Sequence, residues 1–231
     1  MKSLVFDTSS IISISTNNLL DRLFELKKSY NGEFLISNSV KEELIDNPLK
    51  TKRFEFQAVL IADAVGKGRF KFFDNLAVKN KAAILMNVAN NIFSIGGKPL
   101  RILDRAEIEG LVLAGVVKAD AYVVDERTLR LLVEDYRKLQ QLLERKFHND
   151  VEVDKRNLKN FNELANVKII RSVELMTIAF ELGLLNEFSG GKDMINGYRR
   201  KMLEGVLWGL RLRGCGISTK EINDVLKLER V

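Results

Sequence analysis

The chain has 231 residues, with 37 Lys and Arg against 31 Asp and Glu, one His and one Cys, and a formal net charge of +6. A hydrophobic share of 46% with only 2 Pro excludes a disordered or low-complexity chain and fits one enlarged domain, or one domain with a small appendage. The lone Cys215 excludes an intramolecular disulfide and a cysteine-based zinc site, and the lone His148 excludes a two-histidine metal motif.

Enzymatic chemistry here would run on carboxylates, hydroxyls, amines or a bound metal. The positive balance suits an anionic partner such as nucleic acid. The N-terminus reaches Asp7 too soon for a signal peptide's apolar region. No stretch approaches the roughly 18 uncharged apolar residues of a membrane span. The expectation is a cytoplasmic protein without a membrane partner.

Ser3–Phe6 reads as a buried parallel strand with Asp7 at its tip. Thr8, Ser9 and Ser10 suit the start of a helix, and Leu19, Leu20, Leu23, Phe24 and Leu26 recur at helical spacing. Asn31-Gly32 marks a turn before a second strand, Glu33–Ser37. Ser39 to Glu42 has the spacing of a capping box, and Pro48 closes that helix. Phe54–Val65 and Leu76–Phe93 are helical patterns, separated by a short or edge strand in Arg69–Phe73. Gly96–Pro99 is expected to be a loop and Arg105–Val117 a strong helix. Ala121–Val124 is a third buried strand, ending at Asp125; Thr128–Phe147 follows as one charged amphipathic helix. Val167–Ile170 gives a fourth main strand, with further helices over Glu174–Leu185, Met194–Arg213 and Lys220–Leu228. Strands alternating with helices predict an α/β fold with a central parallel sheet of four to five strands, covered on both faces.

In an open parallel sheet, ligands bind outside the carboxyl ends of the strands. Asp7 and Asp125 should both lie at that edge. Glu107, 18 residues before Asp125, opens the preceding helix, and Glu42 and Glu43 follow the second strand. Each acid also has a purely structural role open to it. Asp7, Asp104 and Asp125 fit helix caps, and Glu42, Glu43 and Glu107 fit first-turn acids favoured by the helix dipole. Carboxylates clustered without partners repel, and a divalent cation relieves that repulsion.

The segments VFDTSSII, SNSVKEEL and LDRAEIEGLVLAGVVKADAYVVDERTLR resemble the PIN-domain nucleases, closest to the branch that includes VapC-like toxin ribonucleases. The likeness covers most of residues 1–45 and 102–132, and more weakly 167–228. It implies a PIN-like three-layer fold and a metal-dependent endoribonuclease. Asp7, Glu43, Glu107 and Asp125 match the family's four acids. Asp7, Glu107 and Asp125 would hold Mg²⁺ or Mn²⁺, with Glu43 as a direct or water-mediated ligand. Ser9 and Asp120 match supporting positions. Arg127 and Arg130 would reach substrate phosphate, and Arg199 and Arg200 belong to a basic C-terminal region that would contact RNA. Trp208 and Tyr198 could stack bases, but the helical spacing of Trp208 with Leu203, Leu207 and Leu210 suits core packing or a subunit contact better.

Residues 1–185 would form the nuclease domain, with a helical insertion at about 130–165, and 186–231 a C-terminal helical extension. The middle of the chain and the insertion are longer than in compact toxins, which favours an RNA-processing role over a toxin held by an antitoxin protein. A homodimer is a family-level expectation. The alternative is a catalytically weak PIN-like module for RNA binding or assembly.

Overall fold

The computed structural model describes residues 2–52 and 54–231. The first half of the chain runs β1 (Ser3–Phe6), α1 (Thr8–Thr16), α2 (Leu20–Tyr30), β2 (Glu33–Ser37), α3 (Asn38–Lys41), α4 (Glu55–Gly66), β3 (Lys71–Phe73) and α5 (Leu76–Ala89). Then follow β4 (Phe93–Ile95), β5 (Lys98–Pro99), α6 (Arg105–Val117), β6 (Ala121–Val123), α7 (Arg127–Glu134) and α8 (Tyr136–Phe147). The chain ends with β7 (Glu152–Val153), α9 (Lys155–Leu164), β8 (Ile169–Ile170), α10 (Ser172–Glu181), α11 (Tyr198–Leu212) and α12 (Thr219–Leu228).

Five strands form a parallel sheet in the order β3-β2-β1-β6-β8, an α/β architecture with helices on both faces. Strand side chains alternate between faces. Leu4, Phe6, Phe34, Ile36, Ala121 and Val123 enter one core, with α1, α2, α10, α11 and α12. Val5, Leu35, Tyr122 and Val124 enter the other, with α5, α6, α7, α8 and α9. This two-sided burial is why β1, β2 and β6 read as continuous apolar runs rather than alternating ones. α6 lies deepest, buried at every position from Ala106 to Ala114.

The expected single helix over Thr128–Phe147 is two. Asp135 leaves the helical conformation, and its carboxylate accepts a hydrogen bond from Lys138 N at 3.1 Å, so it caps α8 and separates it from α7. Gly96–Pro99 is not a plain loop. Gly96 and Gly97 both have positive φ and make the two-residue turn of a β4–β5 hairpin, onto which β7 adds a third antiparallel strand. The pattern over Leu76–Phe93 stops helically at Ala89 for the same reason: Phe93 is needed in that strand. The pattern beginning at Met194 becomes an α-helix only at Tyr198, after tighter 3₁₀ turns over Leu184–Met194.

The charged stretch at 130–165 is built into the second core through Leu139, Leu143, Val151, Leu158 and Phe161. His148 closes α8 in the left-handed conformation. Among the described residues, no helix is long and apolar enough to cross a membrane.

One ionic tie holds the chain's end to the sheet. Arg171, at the tip of β8, donates to Gly216 O and to Glu221 Oε1, both at 2.9 Å. Desolvation raises the Glu221 pKa, but hydrogen bonds from Ser218 and Arg171 outweigh it and hold the group at about 2. An acid depressed in the folded state stabilises above its unfolded pKa of about 4.3, and that contribution is lost as pH falls towards 2. Thermal unfolding of wild type and Glu221→Gln should therefore differ at pH 7, with wild type more stable, and converge between about pH 4 and pH 2. A difference unchanged at pH 2 would contradict this tie.

Candidate active site

In this sheet the chain runs outward from β1 in both directions, to β2 and β3 on one side and to β6 and β8 on the other. The order reverses between β1 and β6, where open α/β sheets form their ligand crevice. Asp7 follows β1 at that point, and its amide donates to Val123 O of β6 at 2.9 Å.

Asp7 is 3% exposed. It caps α1: Oδ2 accepts from Ser9 N at 2.9 Å and from the Ser9 hydroxyl at 2.5 Å. Its Oδ1 lies 3.2 Å from the Tyr122 hydroxyl, which stands equally far from Glu107 O. Burial raises the Asp7 pKa and repulsion from Asp104 adds to it, while the Ser9 and Tyr122 hydrogen bonds work against the rise. The Ser9 hydroxyl also accepts from Asp125 N at 3.1 Å, so Ser9 braces the first acid against the end of β6.

Glu107 sits in the first turn of α6 in a complete capping box. Asp104 Oδ1 accepts from Glu107 N at 3.0 Å, and Glu107 Oε2 accepts from Asp104 N at 2.8 Å. Burial first, then repulsion from Asp104, Glu126 and Asp7, raises the Glu107 pKa to about 9. Glu43 lies in a π turn, Glu42–Asp46, whose wide loop is closed by Asn47 N donating to Glu42 O at 2.8 Å. π turns recur at functional sites because they re-aim a side chain. Here Glu43 Oε2 accepts from the Thr8 hydroxyl at 2.6 Å. Desolvation raises the Glu43 pKa, and Asp104, Asp7 and Glu42 raise it further.

Ser39 does not cap the helix that carries Glu43. Ser37 does, accepting from Val40 N, while the Ser39 amide and hydroxyl donate to the buried Glu109 Oε2 at 3.1 and 2.6 Å. Glu109 also accepts from Arg105 Nε at 3.0 Å. The expected capping box is thus replaced by a tie between α3 and α6.

Asp125, expected as a metal ligand, is the most deeply buried of the four matched acids. Its side chain turns inward, with no exposure. Oδ1 accepts from Ser172 N at 2.8 Å; Oδ2 accepts from the Ser172 hydroxyl at 2.6 Å and from the Ser13 hydroxyl. Its neighbour Glu126 is, after Asp104, one of the acids that repel Glu107, while its own Oε2 caps α7 by accepting from Leu129 N at 2.8 Å. Asp104 and Glu126 are therefore the site acids that sequence reasoning under-read. Asp104 was legible as a cap, and the Asp125-Glu126 pair after a strand was the signal for Glu126.

Asp120 lies at the other end of β6. It accepts from the Tyr30 hydroxyl, and its amide donates to Ser3 O at 2.8 Å, so it stands apart from the site acids. Arg199 covers the Phe180 ring at 4.5 Å and Arg200 donates to Val231 O at 2.6 Å. They lie about 18 and about 16.5 Å along α11 from Arg211, by the 1.5 Å rise per residue. Trp208 packs half-buried against the core under the Arg211 guanidinium.

Among the described residues, no Lys or Arg ion-pairs with Asp7, Glu43, Asp104, Glu107 or Glu126. These hard oxygen donors suit Mg²⁺ or Mn²⁺ in kind, and Mg²⁺ commonly needs only one or two protein carboxylates with water and phosphate. No three His, Cys, Asp or Glu groups among the described residues stand gathered as a ready ligand set. Both oxygens of Asp125 are engaged inside the protein, as are those of Asp7, but Asp125 has no exposure and Asp7 keeps 3%. No protein family matches this sequence, and no curated protein matches it.

Two measurements check this geometry. Asp125→Ala strands three donors and should destabilise the fold by about 2–4 kcal/mol, read by denaturant unfolding. A loss below about 0.5 kcal/mol would show that the inward contacts are not made. A Cβ at Gly110 would overlap the buried Tyr122 ring and hydroxyl. Gly110→Ala should therefore lower stability by about 1–2 kcal/mol, although alanine is the better helix former.

Proposed function

We propose that the protein is a metal-dependent endoribonuclease of the PIN type, hydrolysing RNA phosphodiester bonds at the crevice between β1 and β6. The observation that carries this reading is the set of carboxylates at the switch point whose pKa values are raised by burial first and then by one another, with no Lys or Arg ion-paired to them among the described residues. A fold retains uncompensated, partly buried acids at a cost, and such groups concentrate at functional sites. The resemblance of residues 1–45 and 102–132 to the PIN nucleases points the same way.

Asp7 and Glu107 would hold Mg²⁺ or Mn²⁺, with Glu43, Asp104 and Glu126 in reach directly or through water. The bound cation supplies a water of lowered pKa and positive charge against the phosphate. Attack in line with the leaving oxygen forms the new P–O bond and breaks the bond to the 3′ oxygen. That oxygen takes up a proton, leaving a 5′-phosphate and a 3′-hydroxyl. Ser9 and Tyr122 hold the Asp7 carboxylate. Asp125 is a positioning residue here, fixing the end of β6 beside Ser9 rather than binding the ion. Arg127 and Arg130, just past β6, suit the substrate phosphates. A chain whose only cysteine is buried and unpaired suits the cytoplasm. The exposed apolar side chains of α4, Phe56, Val59 and Leu60, favour a protein partner as well, a second copy or an antitoxin-type protein.

Labelled single-stranded RNA should be cleaved in Mn²⁺ and spared in EDTA. Asp7→Asn keeps a good helix cap and should fold, while it and Glu107→Gln should each lower the cleavage rate by about 100-fold or more. Cleavage retained in EDTA, or by the folded Asp7→Asn variant, would sink the proposal.

A further inference from the structure

A cavity of about 320 Å³ opens beside the acidic edge, lined by Arg127, Arg130, Lys138, Arg211, Ser218 and Glu221 among others. Its size lies at the lower end of the roughly 300–1,000 Å³ range of small-ligand sites. It adjoins the tip of β6, because Gly216, also in its wall, donates its amide to Asp125 O at 3.0 Å.

Four cations and one carboxylate face this space, and the carboxylate is already engaged. Glu221 accepts from Arg171 at 2.9 Å and from Ser218 N at 2.8 Å. Arg130 is held by Glu134 Oε2 and Gly216 O, each at 3.1 Å, and its Nε is buried with no acceptor among the described residues. Arg211 donates to the Thr219 hydroxyl at 2.5 Å and lies over the Trp208 ring. The side chains of Arg127 and Lys138 make no ion pair or hydrogen bond among the described residues. Positive charge is thus gathered by tertiary packing around one hollow; Glu134 pairs with Arg130, while no carboxylate pairs with Arg127, Lys138 or Arg211 among the described residues. Guanidinium forks match phosphate oxygens in pairs, and an ammonium serves the same anion as a point charge. The dipole of α12, whose N-terminus is at Ser218, adds to the attraction.

We propose that this cavity is a phosphate-binding subsite, built jointly by α7, α8 and the C-terminal helices, which takes a phosphate group from a nucleotide or a nucleic-acid strand. The inference rests on the nuclease reading only for the source of the phosphate. Binding itself needs no metal.

Titration calorimetry in EDTA tests it, with three probes: inorganic phosphate, a nucleoside monophosphate, and a single-stranded RNA oligonucleotide without terminal phosphate. Wild type should bind at least one of them, more weakly as salt rises. Binding of the first two assigns the site to a free or terminal phosphate; binding of the oligonucleotide alone assigns it to a strand's internal phosphates. Arg127→Gln/Lys138→Gln, both at exposed positions, should weaken binding by about tenfold or more. Lys146→Gln/Lys159→Gln, with the same loss of charge elsewhere, should change it by less than about twofold. The proposal is overturned if no probe binds at millimolar concentration, or if the two double variants weaken binding equally. Asp7→Asn should retain phosphate binding while losing cleavage, so the subsite and the nuclease reading fail independently.

Discussion

β1 and β6 lie side by side in parallel, Leu4 beside Ala121 and Phe6 beside Val123, and most of the site follows from that pairing. It carries Asp7 onto the Val123 carbonyl and places the Ser9 hydroxyl between the Asp7 carboxylate and the Asp125 amide. Tyr122, one position before Val123, projects to the opposite face, where its hydroxyl meets both Asp7 and the first turn of α6. A slip of one residue would exchange the two faces of the strand and dismantle all of these contacts together.

Around that pairing the molecule separates its charges. Acids line the edge where the sheet reverses direction, and burial, with a smaller contribution from their repulsion, pushes Asp7, Glu43 and Glu107 towards their protonated forms. The fold offsets part of this through hydroxyls and helix-start amides, groups that stabilise a carboxylate without neutralising it. Arginines and a lysine gather a few residues further on, beyond Glu126. A modest net charge of +6 thus conceals two adjoining regions of opposite sign.

Legibility in the sequence varied with the range of the interaction. The apolar runs at Ser3–Phe6, Glu33–Ser37 and Ala121–Val124 gave the strands and the α/β class, because full burial leaves a composition signal that needs no partner to be read. The two-helix break at Asp135 and the Gly96-Gly97 hairpin had local signals, a capping residue and a turn dipeptide, which helical periodicity on either side overrode. The choice of Ser37 over Ser39 as helix cap had no local signal. Ser39 is drawn away by Glu109, a residue 70 positions distant that only packing brings near.

By itself, the sequence placed acids at or just past the ends of the strands, Asp7 and Asp125 among them. Only the tertiary structure decided that Asp125 faces inward to Ser13 and Ser172 while Glu126 joins the acids. It alone drew Arg127, Lys138 and Arg211 from three helices around one cavity. The reason is physical. A residue's type and its place in a strand or helix are local properties, but the direction its carboxylate takes depends on which donors the rest of the chain delivers to it. Those donors come from segments too far away in sequence for spacing to reveal them.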